Sequence, residues 1–295
     1  MDHKAFLRSL SSEEQTRLTA RSDGRGVRHL AGHAALILGC GLWIALGAPL
    51  WWLIVPAQGV AIVFLFTLEH EATHKTPFAN ERLNEWVGRA CGLLLILPFE
   101  WFRYFHLAHH RYTNIPGKDP ELAAGQKQYH GWRSFLWHVS GVPYWSSMVR
   151  QVLVNASGRA EAEYLPARAL PRVRSEARWM LGIYALAALS LFWMPFLFWV
   201  WLLPVLLGQP FLRLYLMAEH GRCPQVANMF DNSRTTYTTA IVRFLAWNMP
   251  YHTEHHVYPA VPFHKLPELH DVMRAHLLHE QDGYAQFTAE TISEL

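Results

Sequence analysis

The chain has 295 residues, enough for one large domain or two small ones, and 51% of them are hydrophobic, including 13 tryptophans. A formal net charge of +3 is too weak to argue for a nucleic-acid partner, and a mean hydropathy near zero requires the apolar residues to be concentrated in segments. The cysteines, Cys40, Cys91 and Cys223, have no CxxC spacing and suggest neither a disulfide framework nor a zinc ribbon.

Residues 1–28 are polar and basic, without the apolar core of a cleaved signal peptide. Ser11-Ser12-Glu13-Glu14 offers a capping box and predicts a short helix. Leu30 to Leu68 then runs without an Asp, Glu, Lys or Arg, interrupted by Gly47-Ala48-Pro49. A bilayer core takes about 20 apolar residues per helix, so this run predicts spans at about 30–47 and 50–68 joined by a tight turn. Ala90 to Phe99 covers about half a bilayer and predicts an interfacial or folded-back segment. Residues 131–153, with Trp132, Phe135, Leu136, Tyr144, Trp145 and Arg150, predict an amphipathic interfacial helix. A second uncharged run, Trp179 to Gln209 with a break at Pro195, predicts spans at about 178–194 and 196–217. The first of this pair is short enough to thin the bilayer locally. No dinucleotide-binding fingerprint and no haem-attachment motif accompany these segments, so no built-in reductase domain is expected.

Both tight turns are uncharged, whereas the N-terminal segment carries Lys4, Arg8, Arg17, Arg21, Arg25 and Arg28 and the central loop is rich in basic residues. The positive-inside rule places both termini and the central loop in the cytoplasm. The expected fold is an all-α, multi-pass integral membrane protein. It has four transmembrane helices in two hairpins, with a cytoplasmic histidine-rich helical cap of residues 69–177 and 218–295, in a single domain over 1–295.

Three histidine clusters fall on that cytoplasmic side: His70-Glu71-Ala72-Thr73-His74, His106-Leu107-Ala108-His109-His110 and His252-Thr253-Glu254-His255-His256. Positions i, i+3 and i+4 share a helix face, so each cluster can aim its imidazoles at one point. Eight imidazoles are too many for one metal and right for two, and imidazole suits iron, copper, zinc and nickel. His70-Glu71-x-x-His74 alone matches a zinc protease, with Glu71 as general base. A catalytic zinc takes three protein ligands, however, and the other two clusters would then have no role. A metal transporter would place ligands near the bilayer midplane, where the predicted spans are bare apart from His33. His220, at the inner end of the fourth predicted span, is a ninth candidate ligand, because ionisable residues at membrane depth are functional candidates by default. Metal-bound histidines usually donate their second N–H to a carboxylate or carbonyl. Asp119, Glu71, Glu219 and Glu254 are candidates for that role, and Asn248 for binding through a water. His33, His130, His138, His264, His270, His276 and His279 lack the cluster spacing and read as structural or solvated.

The text HEATH, then FHLAHHRYTN with GKDPE behind it, then WNMPYHTEHHVYPAVPFHKLP resembles the membrane-bound fatty acid desaturase family, the di-iron enzymes with three histidine boxes. The resemblance runs from about residue 60 to 275. It implies two Fe2+ ions, one held by His70, His74, His106, His110 and His256, the other by His109, His220, His252 and His255. It also implies O2 as co-substrate, an external electron donor of ferredoxin, rubredoxin or cytochrome b5 type, and insertion of a double bond into a fatty acyl or other lipid chain by C–H abstraction. Related hydroxylases, ketolases and decarboxylases use similar boxes, and Glu219-His220-Gly221 is also similar to membrane alkane hydroxylases. One position departs from the family: Leu216 stands where structurally known acyl-CoA desaturases have an asparagine. The substrate chain is expected to enter an apolar tunnel between the spans, lined by residues such as Trp193, Phe196 and Phe198.

Overall fold

Ser11 and Glu14 close the expected capping box ahead of the short helix Ser12–Leu18. The computed structural model describes residues 2–124, 129 and 131–295; His130 lies outside these residues. Ser22 caps α1, Asp23–Ala45. Gly47 and Leu50 adopt left-handed conformations, with φ of 58° and 60°, so the break at Gly47-Ala48-Pro49 becomes a tight turn into α2, Trp51–Val63. The rod continues through Phe64 as α3, Leu65–Thr73. Then follow α4, Glu81–Leu95, α5, Phe99–Tyr112, α6, Val142–Ser157, and α7, Leu170–Ser190. A π-helical turn, Phe198–Leu202, leads into α8, Leu203–His220, and α9 is the short helix His252–Val257. Two three-residue parallel strands, β1, Thr235–Tyr237, and β2, Glu280–Asp282, pair with Thr235 opposite Glu280.

Among the described residues, three helical stretches are long and apolar enough to cross a membrane: Ser12–Ala45, Trp51–Thr73 and Phe198–His220. The third expected span differs. Its helix, α7, starts earlier than 178, and its first turns carry Arg172, Arg174, Glu176 and Arg178. The uncharged remainder, from Trp179 to Ser190, is short for a bilayer core at 1.5 Å rise per residue. The expected amphipathic segment 131–153 is likewise two helices, Trp132–Val139 and α6. The chain bends at Gly141, which has φ 73°, and a Cβ there would lie 2.3 Å from Gln209 Cγ. Trp132, Leu136, Trp137, Val149 and Leu153 are exposed along this pair, which keeps the expected apolar face.

The long rods pack through small residues. An added Cβ on Gly59 of α2 would meet the Pro204 carbonyl oxygen at 2.0 Å, and one on Gly208 of α8 would meet Gly59 at 2.4 Å. Such close backbone approach is the usual solution where apolar burial cannot drive helices together. The folded-back segment is also present. α4 ends at Leu95, Ile96 turns left-handed, and the chain reverses into α5. The blunt end of α4 sits among apolar side chains, where an unpaired carbonyl is costly. Each is met by an aromatic donor: Tyr184 Oη donates to Leu93 O at 2.8 Å, Trp201 Nε1 to Leu94 O at 2.9 Å and Tyr144 Oη to Leu95 O at 3.2 Å.

Behind this end, α4, α5 and α7 share a buried ion network. Arg89 reaches Glu85, Glu100 and Glu176 at 2.8, 2.6 and 3.4 Å. Arg103 reaches Glu85 at 2.5 Å and Glu100 at 3.5 Å. Glu176 also accepts the Glu100 backbone N–H at 2.7 Å.

The glycine contact yields a test. Gly208→Val overpacks the α2–α8 crossing and is expected to cost about 1–3 kcal/mol, read as a lower thermal midpoint in detergent. Gly182→Ala, where nothing lies within 4 Å of the added Cβ, is expected to leave the midpoint unchanged.

Candidate metal centre

The histidines arrive on four elements that end at one level. His70 closes the apolar rod α2–α3 and His74 caps it. His106, His109 and His110 occupy the last turns of α5. His220 is the last residue of α8, and α9 carries His252, His255 and His256. Helical spacing turns each set toward a shared centre, and every one of the nine is buried or half-buried.

Two groups form. One nitrogen from each of His70, His74, His106, His110 and His255 lies within 4.8 Å of the others, and the same holds for His109, His220 and His256. In the first group Nε2–Nε2 separations are 2.7 Å for His70–His255, 2.9 Å for His74–His106 and 3.2 Å for His110–His255. In the second it is 3.2 Å for His109–His220, and His252, outside both groups, brings its Nε2 to 2.9 Å from that of His220. Two imidazoles bound at right angles to one metal, each at ~2.1 Å, stand about 3 Å apart, so these separations suit metal coordination. His256 Nε2 is buried without a hydrogen-bond partner among the described residues, which also fits a ligand atom. The grouping differs from the one the resemblance implies in one exchange. His255 lies with the first group, because its Nε2 faces His70. His256 lies a full turn from His252 on α9, and both rings face His220, with centroids 4.6 and 4.7 Å away.

Burial holds His106, His110, His252, His255 and His256 well below the usual imidazole range, and the neighbouring imidazoles add to this. These rings are therefore neutral, the form that binds a metal. His109 behaves differently. Burial pushes it down, but the charge of Glu121 and the hydrogen bond and charge of Asp119 outweigh this and raise it.

The polar surroundings sort the remaining candidates. Asp119 accepts from His109 Nδ1 at 3.0 Å and is itself fixed by the backbone N–H groups of Asn114 and Glu121. Glu71 lies 3.4 Å from His255 Nδ1, and Glu219 lies 3.4 Å from His252 Nδ1. Glu254 does not turn to a box histidine. It accepts from His270 Nδ1 at 2.6 Å and from Thr235 Oγ1 at 2.7 Å, which accounts for His270 as structural. Asn248 also faces elsewhere, donating to the Phe263 carbonyl at 3.0 Å. His33 is structural: it donates from Nε2 to the Ala61 carbonyl at 2.8 Å and accepts from Trp247 Nε1 at 3.2 Å.

Three further contacts escape sequence reasoning. His220 Nδ1 donates to the Asn232 carbonyl at 2.9 Å, and Thr113 Oγ1 lies 3.2 Å from His256 Nδ1. Glu121 approaches His109 Nδ1 at 3.7 Å. A backbone carbonyl leaves no residue-type signal, but Glu121 stands in the same GKDPE text as Asp119. Arg213 also received no role, although it lies inside a predicted span.

A cavity of about 1580 Å³ opens beside the histidines, with His70, His106, His109, His220 and His252 in its wall. Its apolar lining comes from Phe66, Trp101, Phe102, Phe105, Leu216 and Met217. The expected tunnel lining is corrected: Trp193, Phe196 and Phe198 lie at the turn between α7 and α8 and are 73%, 49% and 38% exposed.

Residues 49–288 match the fatty acid desaturase family. Similar proteins include a sphingolipid delta(4)-desaturase DES1 of Gallus gallus, 28% identical over 67% of this chain and 58% of that protein. A sphingolipid delta(4)-desaturase/C4-monooxygenase DES2 of Mus musculus is 28% identical over 78% of this chain and 68% of its own length. A DES1 of Drosophila melanogaster is 29% identical, over 74% and 65%. The matched part thus spans between 58% and 68% of the length of these relatives.

Asp119→Asn replaces an acceptor oxygen with a donor against His109 and the two backbone N–H groups. The expected result is a ten- to hundredfold loss of metal affinity, roughly the usual effect of losing such an orienting partner, with helix content retained. Metal retained against a chelator, with circular dichroism alongside, measures it.

Proposed function

The chain belongs to the fatty acid desaturase family, and on that premise we propose that it is an O2-dependent di-iron oxidase that inserts a double bond into a lipid chain. The convergence of eight histidines in two groups, with His252 against His220, beside a cavity whose wall includes an apolar stretch carries this reading. His70, His74, His106, His110 and His255 would hold one iron, and His109, His220, His252 and His256 the other. Bound Fe2+ would supply, with O2 and two electrons from a ferredoxin, rubredoxin or cytochrome b5 type donor, the power to take two hydrogens from neighbouring unactivated carbons, the oxygen leaving as water.

The protein's own part is positioning. Asp119 orients His109 and the Asn232 carbonyl orients His220, leaving their Nε2 atoms free to bind, while Glu71 and Glu219 lie 3.4 Å from His255 and His252. Phe66, Phe102, Leu216 and Met217 line the cavity beside the histidines, exclude water there and favour an alkyl chain. Small displacements of that chain cost much in rate, so the shape of this wall governs which carbons react.

In the membrane we place four spans. Three are the rods that qualify on length and composition, and α7 joins them with its charged first half in the headgroup region. Residues 1–295 then form one domain, with both termini, the histidines and the rest of the cap cytoplasmic by the positive-inside rule. A hydroxylating outcome is the second reading. It is favoured by the mouse relative, whose name covers both desaturation and C4-monooxygenation.

Iron near two per chain is expected in detergent-purified protein loaded anaerobically; zinc near one per chain would overturn the reading. Mass spectrometry of reconstituted turnovers is expected to show loss of two hydrogens from the lipid, whereas gain of one oxygen would select the hydroxylase. His109→Ala and His255→Ala are each expected to abolish turnover and leave membrane insertion intact. Full activity in either variant would contradict the ligand set.

A further inference from the structure

Between Phe198 and Ala218 the sequence holds a single charged residue, Arg213. A guanidinium inside an apolar rod is costly and rarely lacks a purpose. Arg213 and His220 are seven residues apart on α8, on one helix face and about 10 Å apart along the axis. Arg213, Leu216, Met217 and His220 all line the cavity beside the histidines.

The charge is held in place without a direct ion pair, the charges of Glu121 and Glu219 acting on it from beyond 4.0 Å. Arg213 Nε donates to Gln209 Oε1 at 3.1 Å, and its guanidinium carbon lies 4.6 Å from the centre of the Tyr144 ring. Gln209 is fully buried and fills the space left by Gly141, so its own position is fixed. Its Nε2 has no acceptor among the described residues. Tyr144 is fixed in turn by its bond to the Leu95 carbonyl. Among the described residues no carboxylate lies within 4.0 Å of the guanidinium, and residues 125–128 and 130 include no acid. The two cavity-lining glutamates nearest the histidines, Glu121 and Glu219, lie 3.7 and 3.4 Å from His109 and His252.

A rigid fork of N–H donors with no carboxylate in direct contact, beside the apolar stretch of cavity wall formed by Leu216 and Met217, matches a planar acceptor group. We propose that Arg213 is the specificity-determining residue that anchors the polar end of the lipid. Its guanidinium donates to an acceptor oxygen of the headgroup, either a carboxylate or an amide carbonyl, and so fixes which part of the chain lies against the histidines. This rests on the lipid-oxidase reading of the same cavity.

The test is binding, measured on full-length, metal-free protein in phosphatidylcholine nanodiscs. Three quenchers of tryptophan fluorescence, to which Trp101 in the cavity wall reports, share one mid-chain brominated alkyl chain: the fatty acid, its N-methyl amide and the alkane without a headgroup. The wild type is expected to bind the acid, the amide or both tighter than the alkane, by about ten- to hundredfold, the usual effect of hydrogen bonds to a charged group. Arg213→Gln is expected to lose that preference while binding the alkane as before. Loss for the acid alone identifies a carboxylate headgroup, and loss for the amide identifies an amide carbonyl. Arg213→Lys keeps the charge without the fork and is expected to keep part of the acid preference. An unchanged preference in Arg213→Gln overturns the anchor, and so does equal weakening of all three ligands. A wild type that shows the preference but, in separate loading and turnover assays, takes up no iron or forms no product counts against the oxidase reading alone.

Discussion

Ring nitrogens brought within 2.7–3.2 Å of one another across a buried centre set the terms for everything around them. Two neutral imidazoles that close are held either by the N–H of one ring donating to the bare nitrogen of the other or by a cation shared between two bare nitrogens. Burial makes protonation expensive, since a charge taken from water loses its hydration. Burial therefore favours the neutral form of most of these rings, His109 beside Asp119 and Glu121 excepted, and outer polar groups hold His109 and His220 in place. Asp119 is bound by two backbone N–H groups before it meets His109, so the imidazole is positioned by a carboxylate that is itself immobile.

Holding four helix ends at one level requires the rods above them to be fixed in depth. The Gly59–Gly208 contact sets how close α2 and α8 approach, and these rods deliver His70 and His220. The end of α4 shows how irregular backbone survives in apolar surroundings. Its terminal carbonyls are met by Tyr184, Trp201 and Tyr144 from three different segments, so the fold-back into α5 leaves none of those three unpaired.

Much of this was legible because it is local. The capping box at Ser11, the turn at Gly47-Ala48-Pro49 and the fold-back after Leu95 follow from short-range chemistry. The three clusters are visible because helical spacing puts their ligands a turn apart. What escaped is not local. The charged turns from Arg172 to Arg178 belong to α7, where Glu176 pairs with Arg89 and the Glu100 backbone, 87 and 76 positions away. Glu254 and Asn248 have the right types at the right distance from a box, but tertiary contacts with His270 and Phe263 claim them. Trp193, Phe196 and Phe198 are apolar and fall at the adjoining ends of two predicted spans, yet they are exposed, because hydropathy ranks residues without giving the direction of a side chain. Arg213 could have been read as an intramembrane charge, but its partners Gln209 and Tyr144 come together only in the fold.

The ion network on α4, α5 and α7 couples parts of the molecule that the chain separates. Glu100 and Arg103 sit one to two turns ahead of His106 on the same helix, and both are braced through Arg89 and Glu85 to α4 and, by Glu176, to α7. α5 thus cannot rotate or slide without dragging α7. A displacement of α7 would therefore reach the second histidine cluster as torque through these pairs, although no residue of α7 belongs to that cluster.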